Sequence, residues 1–199
     1  MAMNTTLAYY AENALDFFDS THDKPMEAIY PRFLPHLPEN GFILDAGCGS
    51  GRDSRYFLSL GFRIEAIDAS KEMAALATAY IGQEVKCLAF DQIERTEAYD
   101  AIWAAASLLH LPYAQLPETL SRLASALKED GVLYASFKYG EHEYVKEGRH
   151  FTPLNEKKAE ALFEQLAPLR LQQLWLSDDL RQERSGEKWL NLLAGKARR

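Results

Sequence analysis

Short apolar runs and amphipathic stretches alternate along the chain, which is the pattern of strands followed by helices. The apolar or alternating runs predict strands at residues 42–44, 62–68, 83–91 and 132–137, and another within 97–112. Apolar residues at helical spacing predict helices between these strands, at residues 53–60, 71–80 and 113–127. This regular alternation is typical of an α/β protein with a mainly parallel sheet.

Both ends of the chain add elements to this pattern. Two helices are predicted before the first strand, at residues 6–18 and 26–37, and Pro31 and Pro35 should kink or shorten the second one. Near the other end, Thr152 and Pro153 suit the N-cap and the first turn of a helix that runs to residue 166. Residues 169–176 and 188–193 are apolar enough to pair as a hairpin that closes the sheet.

The junction after the first predicted strand is the most informative stretch of the sequence. The strand ends at Asp45, and Gly47, Gly49 and Gly51 follow at alternate positions before a helix begins. Glycine suits such a turn because it accepts positive φ angles and lets a ligand approach the backbone N–H groups at the helix N-terminus. A cofactor-binding loop is therefore predicted here.

Two classes of cofactor bind beside such loops, and charge separates them. A dinucleotide loop has a third glycine where this chain has Asp53, and it receives an anionic pyrophosphate, which Asp45 would repel. S-adenosylmethionine has no phosphate and carries a sulfonium and an ammonium group, which an acidic strand end attracts. The sequence thus favours S-adenosylmethionine, and a nicotinamide-dependent oxidoreductase is the less favoured alternative.

The segment from Leu44 to Gly51 resembles the first motif of class I S-adenosylmethionine-dependent methyltransferases. The resemblance covers nearly the whole chain and points to the small-molecule, tellurite-resistance-like branch. It implies that the loop residues contact the cofactor, namely Asp45, Ala46, Gly47 and Gly49. It also implies a lid that carries Tyr10, although Ala11 and Phe17 depart from the family's lid pattern and an aromatic stripe in the core is the alternative.

Further cofactor contacts are expected at the ends of later strands. Asp68 lies where Rossmann-like folds place the ribose-binding acid, about 20 residues after the first strand, and Ser70 is the better candidate for capping the next helix. The resemblance implies that Asp91 binds the adenine amine, with Phe90 as an apolar wall beside it. The remaining candidates are Ala69, which follows Asp68; Met73, which contacts the adenine or joins the core; and Ala105, one of several small residues that leave room for a ligand.

The methyl acceptor is the least determined part of the site. The candidate catalytic residues are His110, Lys138, Arg149, His150 and Arg181. If the last four converge on the crevice they favour a small anionic acceptor, whereas the acidic residues between them favour a solvated surface. No metal site is expected, because His142 has no further ligands at suitable spacing.

Composition narrows the remaining possibilities. With 199 residues, 47% of them hydrophobic, we expect a single domain over 1–199, with a helical lid over 1–40 and a Rossmann-like core over 41–199. The net charge of −7 argues against a general affinity for nucleic acid or anionic membranes. No apolar run approaches the ~20 residues of a membrane span, so a cytoplasmic location is expected. The oligomeric state is not indicated.

These observations combine into one prediction of fold and function. We expect a three-layer α/β sandwich with a Rossmann-like, mostly parallel seven-stranded sheet and one antiparallel strand near an edge. The expected activity is transfer of a methyl group from S-adenosylmethionine to a small acceptor by in-line displacement. A methyltransferase-like module that binds the cofactor without catalysis is the other alternative.

Overall fold

A computed structural model of the chain describes residues 2–24, 26–179 and 186–197. Seven strands form the main sheet: β1 (Phe42–Ala46), β2 (Arg63–Asp68), β3 (Val85–Cys87), β4 (Tyr99–Ala104), β5 (Leu127–Lys138), β8 (Leu169–Asp178) and β9 (Lys188–Lys196). Two short strands form a separate hairpin: β6 (Tyr144–Lys146) and β7 (Arg149–Phe151).

The order of the main sheet is β3-β2-β1-β4-β5-β9-β8. All neighbouring strands are parallel except β9, which runs antiparallel to both β5 and β8. This confirms the predicted sheet with one antiparallel strand near an edge. The strand order reverses between β1 and β4, and the crevice beside the carboxyl ends of these two strands is where an open α/β sheet binds its ligand.

Seven α-helices are assigned in the described chain: α1 (Ala2–Glu12), α2 (Ala14–Thr21), α3 (Tyr30–Phe33), α4 (Arg52–Ser59), α5 (Lys71–Ile81), α6 (Leu116–Ala126) and α7 (Glu156–Glu164). The sheet separates two apolar clusters. One contains Leu44 with side chains from α6 and α7, and the other contains the adjacent Ile43 with side chains from α4 and α5. Adjacent residues of a strand point to opposite faces, so this division produces the three layers.

The predicted N-terminal helices are shorter than expected. Residues 6–18 do not form one helix, because the chain breaks at Asn13, whose amide group donates to the Tyr9 carbonyl oxygen at 2.8 Å. Residues 26–37 contain only the four-residue α3 and a 3-10 turn, Leu34–His36. Pro31 and Pro35 lie in the first turns of these two pieces, where a missing N–H is tolerated.

Two other boundaries also differ from the prediction. The helix α7 begins after Asn155, whose side chain accepts from the N–H of Lys158 at 2.9 Å, and not at Thr152. The Thr152 hydroxyl instead donates to the Leu111 carbonyl oxygen at 2.6 Å. The third strand ends at Cys87, four residues before Asp91, and residues 90–92 form a 3-10 turn.

In the part of the chain that the structure describes, no helix combines the length and the apolar character needed to cross a bilayer.

Candidate functional site

The glycine loop that follows β1 is held tightly against its neighbours. Gly47 and Gly51 have φ angles of 80° and 77°, which residues other than glycine rarely adopt. A Cβ atom on Gly47 would lie 2.5 Å from the Cβ of Ser107, and one on Gly51 would lie 2.8 Å from a methyl carbon of Ile81. Both the backbone conformation and the lack of space therefore require glycine at these two positions.

Asp68 connects the end of β2 to this loop. One carboxylate oxygen of Asp68 accepts from the N–H of Gly49 and the other from the N–H of Ser70, both at 2.9 Å. Burial raises the pKa of Asp68. Ser70, and not Asp68, is the N-cap of α5, and its hydroxyl oxygen accepts from the N–H of Met73. The carboxylate thus holds the loop in place while it lies at the wall of a cavity.

Asp45 and Asp53 lie beneath the loop, and their surroundings shift their pKa values in opposite directions. Asp53 accepts hydrogen bonds from Tyr30, Trp103 and Arg52 at 2.7–2.8 Å, and although burial opposes ionisation, the Arg52 guanidinium keeps the pKa of Asp53 below its usual value. Asp45 accepts from the hydroxyl of Ser54 at 2.6 Å. Burial and the neighbouring Asp53 charge raise the pKa of Asp45 to about 8.

A cavity of about 490 Å³ lies at the carboxyl ends of the strands. It extends from Asp68 and the 88–90 segment, past the glycine loop, to residues of α1 and β7. The predicted site residues that line it are Tyr10, Asp45, Gly47, Gly49, Asp68, Ala69, Met73, Phe90, Ala105, His110, Lys138 and Arg149. Residues predicted to bind the cofactor and residues predicted to lie near the methyl acceptor therefore line the same cavity.

The other candidates do not line this cavity. Ala46 is fully buried in the core. Asp91 is exposed, because β3 ends early and the following 3-10 turn carries the carboxylate away from the cavity. The ring of His150 contacts the hydroxyl of Thr152 at 3.0 Å and the carboxylate of Glu143 at 3.3 Å. Arg181 lies outside the described residues.

The first helix lies over the cavity and is held by the β6–β7 hairpin. The hydroxyl oxygen of Thr6 accepts from the N–H of His150 at 3.0 Å, and the guanidinium of Arg149 lies 4.0 Å from the centre of the Tyr9 ring. The Tyr10 hydroxyl lies 2.8 Å from Nε2 of His110. Burial raises the pKa of Tyr10 to about 12. The helix α1 and the hairpin therefore close one side of the cavity together.

Hydrogen bonding determines the tautomer of His110. Its Nδ1 lies 2.7 Å from the carbonyl oxygen of His150, and a carbonyl can only accept, so Nδ1 carries the proton. Nε2 then accepts from the Tyr10 hydroxyl. Burial, together with the charge of Arg149, lowers the pKa of His110 to about 4 although the carbonyl contact opposes this shift. His110 is therefore neutral at physiological pH.

The predicted cationic rim is largely neutralised by nearby acids. Lys138 is buried, donates to Asp179 at 2.8 Å and to Glu187, and lies 4.2 Å from the centre of the Trp189 ring. Arg149 forms an ion pair with Glu147. The sequence reveals these cations but not their partners, because the pairs form only when loops and strands come together.

Several lining residues were not predicted. Phe17 enters the sequence argument only as a departure from a lid pattern, and nothing in that argument singles out Ser107. Asn191 lies in β9, where nothing in the local sequence marks it as part of a site; its side chain accepts from the Tyr134 hydroxyl at 2.7 Å and donates to Ser177 at 2.9 Å. Among the described residues, no cluster of three or more histidine, cysteine or acidic side chains could hold a metal ion.

Comparison with known proteins places this chain in a family. Residues 18–183 match the model of the methyltransferase-domain family. The chain belongs to this family of methyltransferases. The match includes the glycine loop, Asp68, His110 and the β6–β7 hairpin, so it covers most of the residues around the cavity.

Relatives of this methyltransferase-family chain act on different molecules, as their names state. The chain is 33% identical over 101 residues to the N-terminal Xaa-Pro-Lys N-methyltransferase 1 of Danio rerio. This alignment covers 47% of this chain and 45% of the relative. It is 31% identical over 129 residues to the ubiquinone biosynthesis O-methyltransferase of Xanthomonas axonopodis pv. citri, covering 57% and 52%. The chain spans about half the length of the curated relatives it matches.

A solved structure extends the comparison to the whole fold. The 1,6-didemethyltoxoflavin-N1-methyltransferase of Burkholderia thailandensis, with bound 1,6-didemethyltoxoflavin and S-adenosylhomocysteine, has a TM-score of 0.82. Its sequence is 20% identical, and the similarity covers 98% of this chain and 89% of the other. At this identity the likeness establishes the class I methyltransferase fold.

Proposed function

We propose that this chain transfers a methyl group from S-adenosylmethionine to a small molecule that binds in the same cavity. The observation that carries the proposal is the continuity of the cavity, which joins the glycine loop and Asp68 to Tyr10 and His110. Its volume of about 490 Å³ lies within the ~300–1,000 Å³ range of pockets for cofactors and small molecules. Family membership supports the reaction class, and the continuous cavity supports this location for the reaction.

The residues around the loop fit this cofactor. Asp68 would hold the ribose hydroxyls, and Met73 and Phe90 would contact the adenine. Beside Gly49, among the described residues other than its chain neighbours, only Phe17 comes within 4 Å of a Cβ placed on this glycine. This space would admit the cofactor close to the backbone, and Asp45 would attract its cationic amino-acid end. Bound S-adenosylmethionine supplies a methyl group on a positively charged sulfur, which is already activated for in-line displacement.

The protein's part in such a reaction is to position the acceptor and exclude water. Positioning alone can contribute ~7–11 kcal/mol to lowering the barrier. The helix α1 and the β6–β7 hairpin cover the cavity and would exclude water from it.

The observations support a small acceptor, but they do not support the narrower expectation that this acceptor is an anion. The bound small molecule in the Burkholderia structure supports a small acceptor, because the overlap there extends over nearly the whole chain. The convergence of four cations loses its support, since Lys138 and Arg149 are paired with acids and His150 faces away. Membership of the tellurite-resistance-like branch, the single-domain organisation, the lack of a nucleic-acid partner and the cytoplasmic location stay predictions.

Calorimetric titration tests the cofactor half of the proposal. S-adenosylmethionine and S-adenosylhomocysteine should bind, and NADH should not. Asp68→Asn should weaken binding by about 1–3 kcal/mol, because it removes an acceptor for the ribose and for the loop. Asp91→Asn is the matched control and should leave the affinity unchanged, since its side chain is exposed outside the cavity. Equal affinity of the Asp68→Asn variant and the parent would show that the ribose assignment is wrong.

A further inference from the structure

Tyr10 and His110 form a hydrogen-bonded pair in the wall of the cavity. We infer that this pair removes the proton of the methyl acceptor, and that the acceptor is a neutral small molecule methylated at an N–H or O–H group. The inference rests on the proposed function and adds to it a substrate class and a catalytic residue.

The first step of the argument concerns the direction of the hydrogen bonds. Nδ1 of His110 donates to the carbonyl oxygen of His150, so the only free lone pair of the ring is on Nε2. Nε2 accepts a hydrogen bond from the Tyr10 hydroxyl at 2.8 Å. The phenolic oxygen therefore has its proton directed at His110 and keeps lone pairs with which it can accept a further proton.

The second step concerns the state of the pair at neutral pH. His110 is faced by Tyr10 from α1 and by Arg149 and His150 from β7, and its lowered pKa leaves Nε2 unprotonated. Burial raises the pKa of Tyr10 although the Arg149 guanidinium opposes this shift, so a lasting tyrosinate is disfavoured. The raised pKa of Tyr10 favours a relay in which this residue gives up its own proton as it receives another. The lowered pKa of His110 keeps Nε2 available as the final acceptor, although it makes the imidazole a weaker base.

The third step concerns the charge of the acceptor. Around the cavity, the cations Lys24, Arg52, Lys138 and Arg149 are paired with Asp23, Asp53, Asp179 and Glu147 respectively. Among the described residues, Nε of Arg149 is buried and has no hydrogen-bond partner, although another nitrogen of the same guanidinium pairs with Glu147. An anionic acceptor would therefore compete with an existing carboxylate for each of these cations. The cavity also presents neutral polar groups, among them Ser136 and Asn191, and aromatic rings such as Phe17 and Phe151. This lining suits an uncharged, partly apolar molecule.

A neutral acceptor with an N–H or O–H group needs a proton acceptor when it is methylated. The nitrogen or oxygen of the acceptor forms a bond to the methyl carbon, and the bond from that carbon to sulfur breaks with its electron pair going to sulfur. The acceptor's proton moves to the oxygen of Tyr10, and the proton of Tyr10 moves to Nε2 of His110. The product side then holds a methylated neutral molecule, a neutral tyrosine and an imidazolium. A weak base is sufficient, because methylation makes the departing proton strongly acidic.

The test compares Tyr10→Phe with Tyr9→Phe, a matched change on the same helix. Tyr9 does not line the cavity, and phenylalanine keeps a ring over Arg149. The probes are para-substituted phenols and benzimidazoles, chosen so that some are fully protonated and others fully ionised at the assay pH. Turnover is measured as S-adenosylhomocysteine formed per unit time. The affinity of each variant for S-adenosylhomocysteine is measured separately.

Tyr10→Phe should lower kcat by about 100-fold or more for protonated acceptors, the usual effect of losing a proton-transfer group. It should leave kcat within a few-fold of the parent for ionised acceptors, and Tyr9→Phe should match the parent for both. His110→Asn should repeat the pattern of Tyr10→Phe. An equal loss for protonated and ionised acceptors would reduce Tyr10 to a structural role and overturn the inference, as would no loss at all.

Two other outcomes separate this inference from the proposed function. If the parent methylates only ionised acceptors, the inference is wrong while methyl transfer stands. If the parent binds S-adenosylhomocysteine but methylates none of the probes, both the transfer to small neutral acceptors and the relay are contradicted.

Discussion

At the scale of single residues, Asp45 is the clearest case of a side chain whose environment changes its chemistry. It is buried, accepts from Ser54, and lies near the ionised Asp53. Burial and the Asp53 charge raise its pKa to about 8, whereas an aspartate in an unfolded chain titrates near ~4. In the absence of a cation, this carboxyl therefore holds its proton at neutral pH, and a bound ammonium group would favour its release.

This shift predicts a pH dependence of stability. Between about pH 4 and pH 8 the folded chain retains a proton on Asp45 that the unfolded chain has lost, so the contribution of this group to the free energy of unfolding falls as the pH rises. Asparagine at this position does not titrate but can still accept from Ser54. The Asp45→Asn variant should therefore gain stability relative to the parent as the pH increases through this window. Urea denaturation of both ligand-free proteins at several pH values measures this difference, and a difference that is constant with pH would contradict the assignment.

At the scale of elements, the N-terminal helix is fastened to the rest of the molecule mainly by polar and aromatic contacts. Thr6, Tyr9 and Tyr10 contact His150, Arg149 and His110 in turn. From residue 5 onward, the first apolar side chain counted in the buried core is Ala14, which begins α2. The helix α1 therefore covers the cavity while contributing little to the apolar core.

Deletion of residues 1–12 should separate these two roles. The shortened chain should still unfold cooperatively, because neither apolar cluster on the two faces of the sheet includes any of the α1 side chains that the structure describes. Its affinity for S-adenosylhomocysteine should fall about tenfold, which corresponds to ~1.4 kcal/mol, because Tyr10 and the cover over the cavity are lost. Circular dichroism during thermal unfolding checks the first result, and calorimetry checks the second. Unchanged affinity would mean that α1 does not act as a lid.

Local sequence determines some elements of this fold more completely than others. The glycine loop and the strands β1 and β2 were predictable, because their apolar runs, glycines and terminal acids lie next to one another in the chain. The break at Asn13 and the start of α7 at Asn155 were not, since several polar residues nearby could cap a helix and tertiary contacts select one. Thr152 illustrates this, because its hydroxyl donates a hydrogen bond to the carbonyl oxygen of Leu111, which is distant in sequence, and does not cap a helix.

At the scale of the whole molecule, the sheet brings the carboxyl ends of six strands that run in the same direction to one edge, and the cavity lies there. Asp45, the glycine loop and Asp68 line the cavity and could be placed there from the sequence, because they lie at the ends of β1 and β2. Asp91 was misplaced, because β3 ends four residues before it. The acceptor half of the site could not be predicted, because its character depends on pairs distant in sequence, such as Lys138 with Asp179 and Tyr10 with His110. These pairs turn a rim that looks cationic in the sequence into one in which the charges are largely balanced.

The central claim is that the cavity transfers a methyl group, and isotope labelling tests it most directly. The full chain is incubated with S-adenosylmethionine that carries a deuterated methyl group and with the phenol and benzimidazole probes, and the products are followed by mass spectrometry. We predict that a labelled methylated product accumulates in step with S-adenosylhomocysteine, and more slowly in the Asp68→Asn variant at low cofactor concentration. Tight binding of S-adenosylmethionine without any labelled product would contradict the account and would indicate a binding module instead of an enzyme.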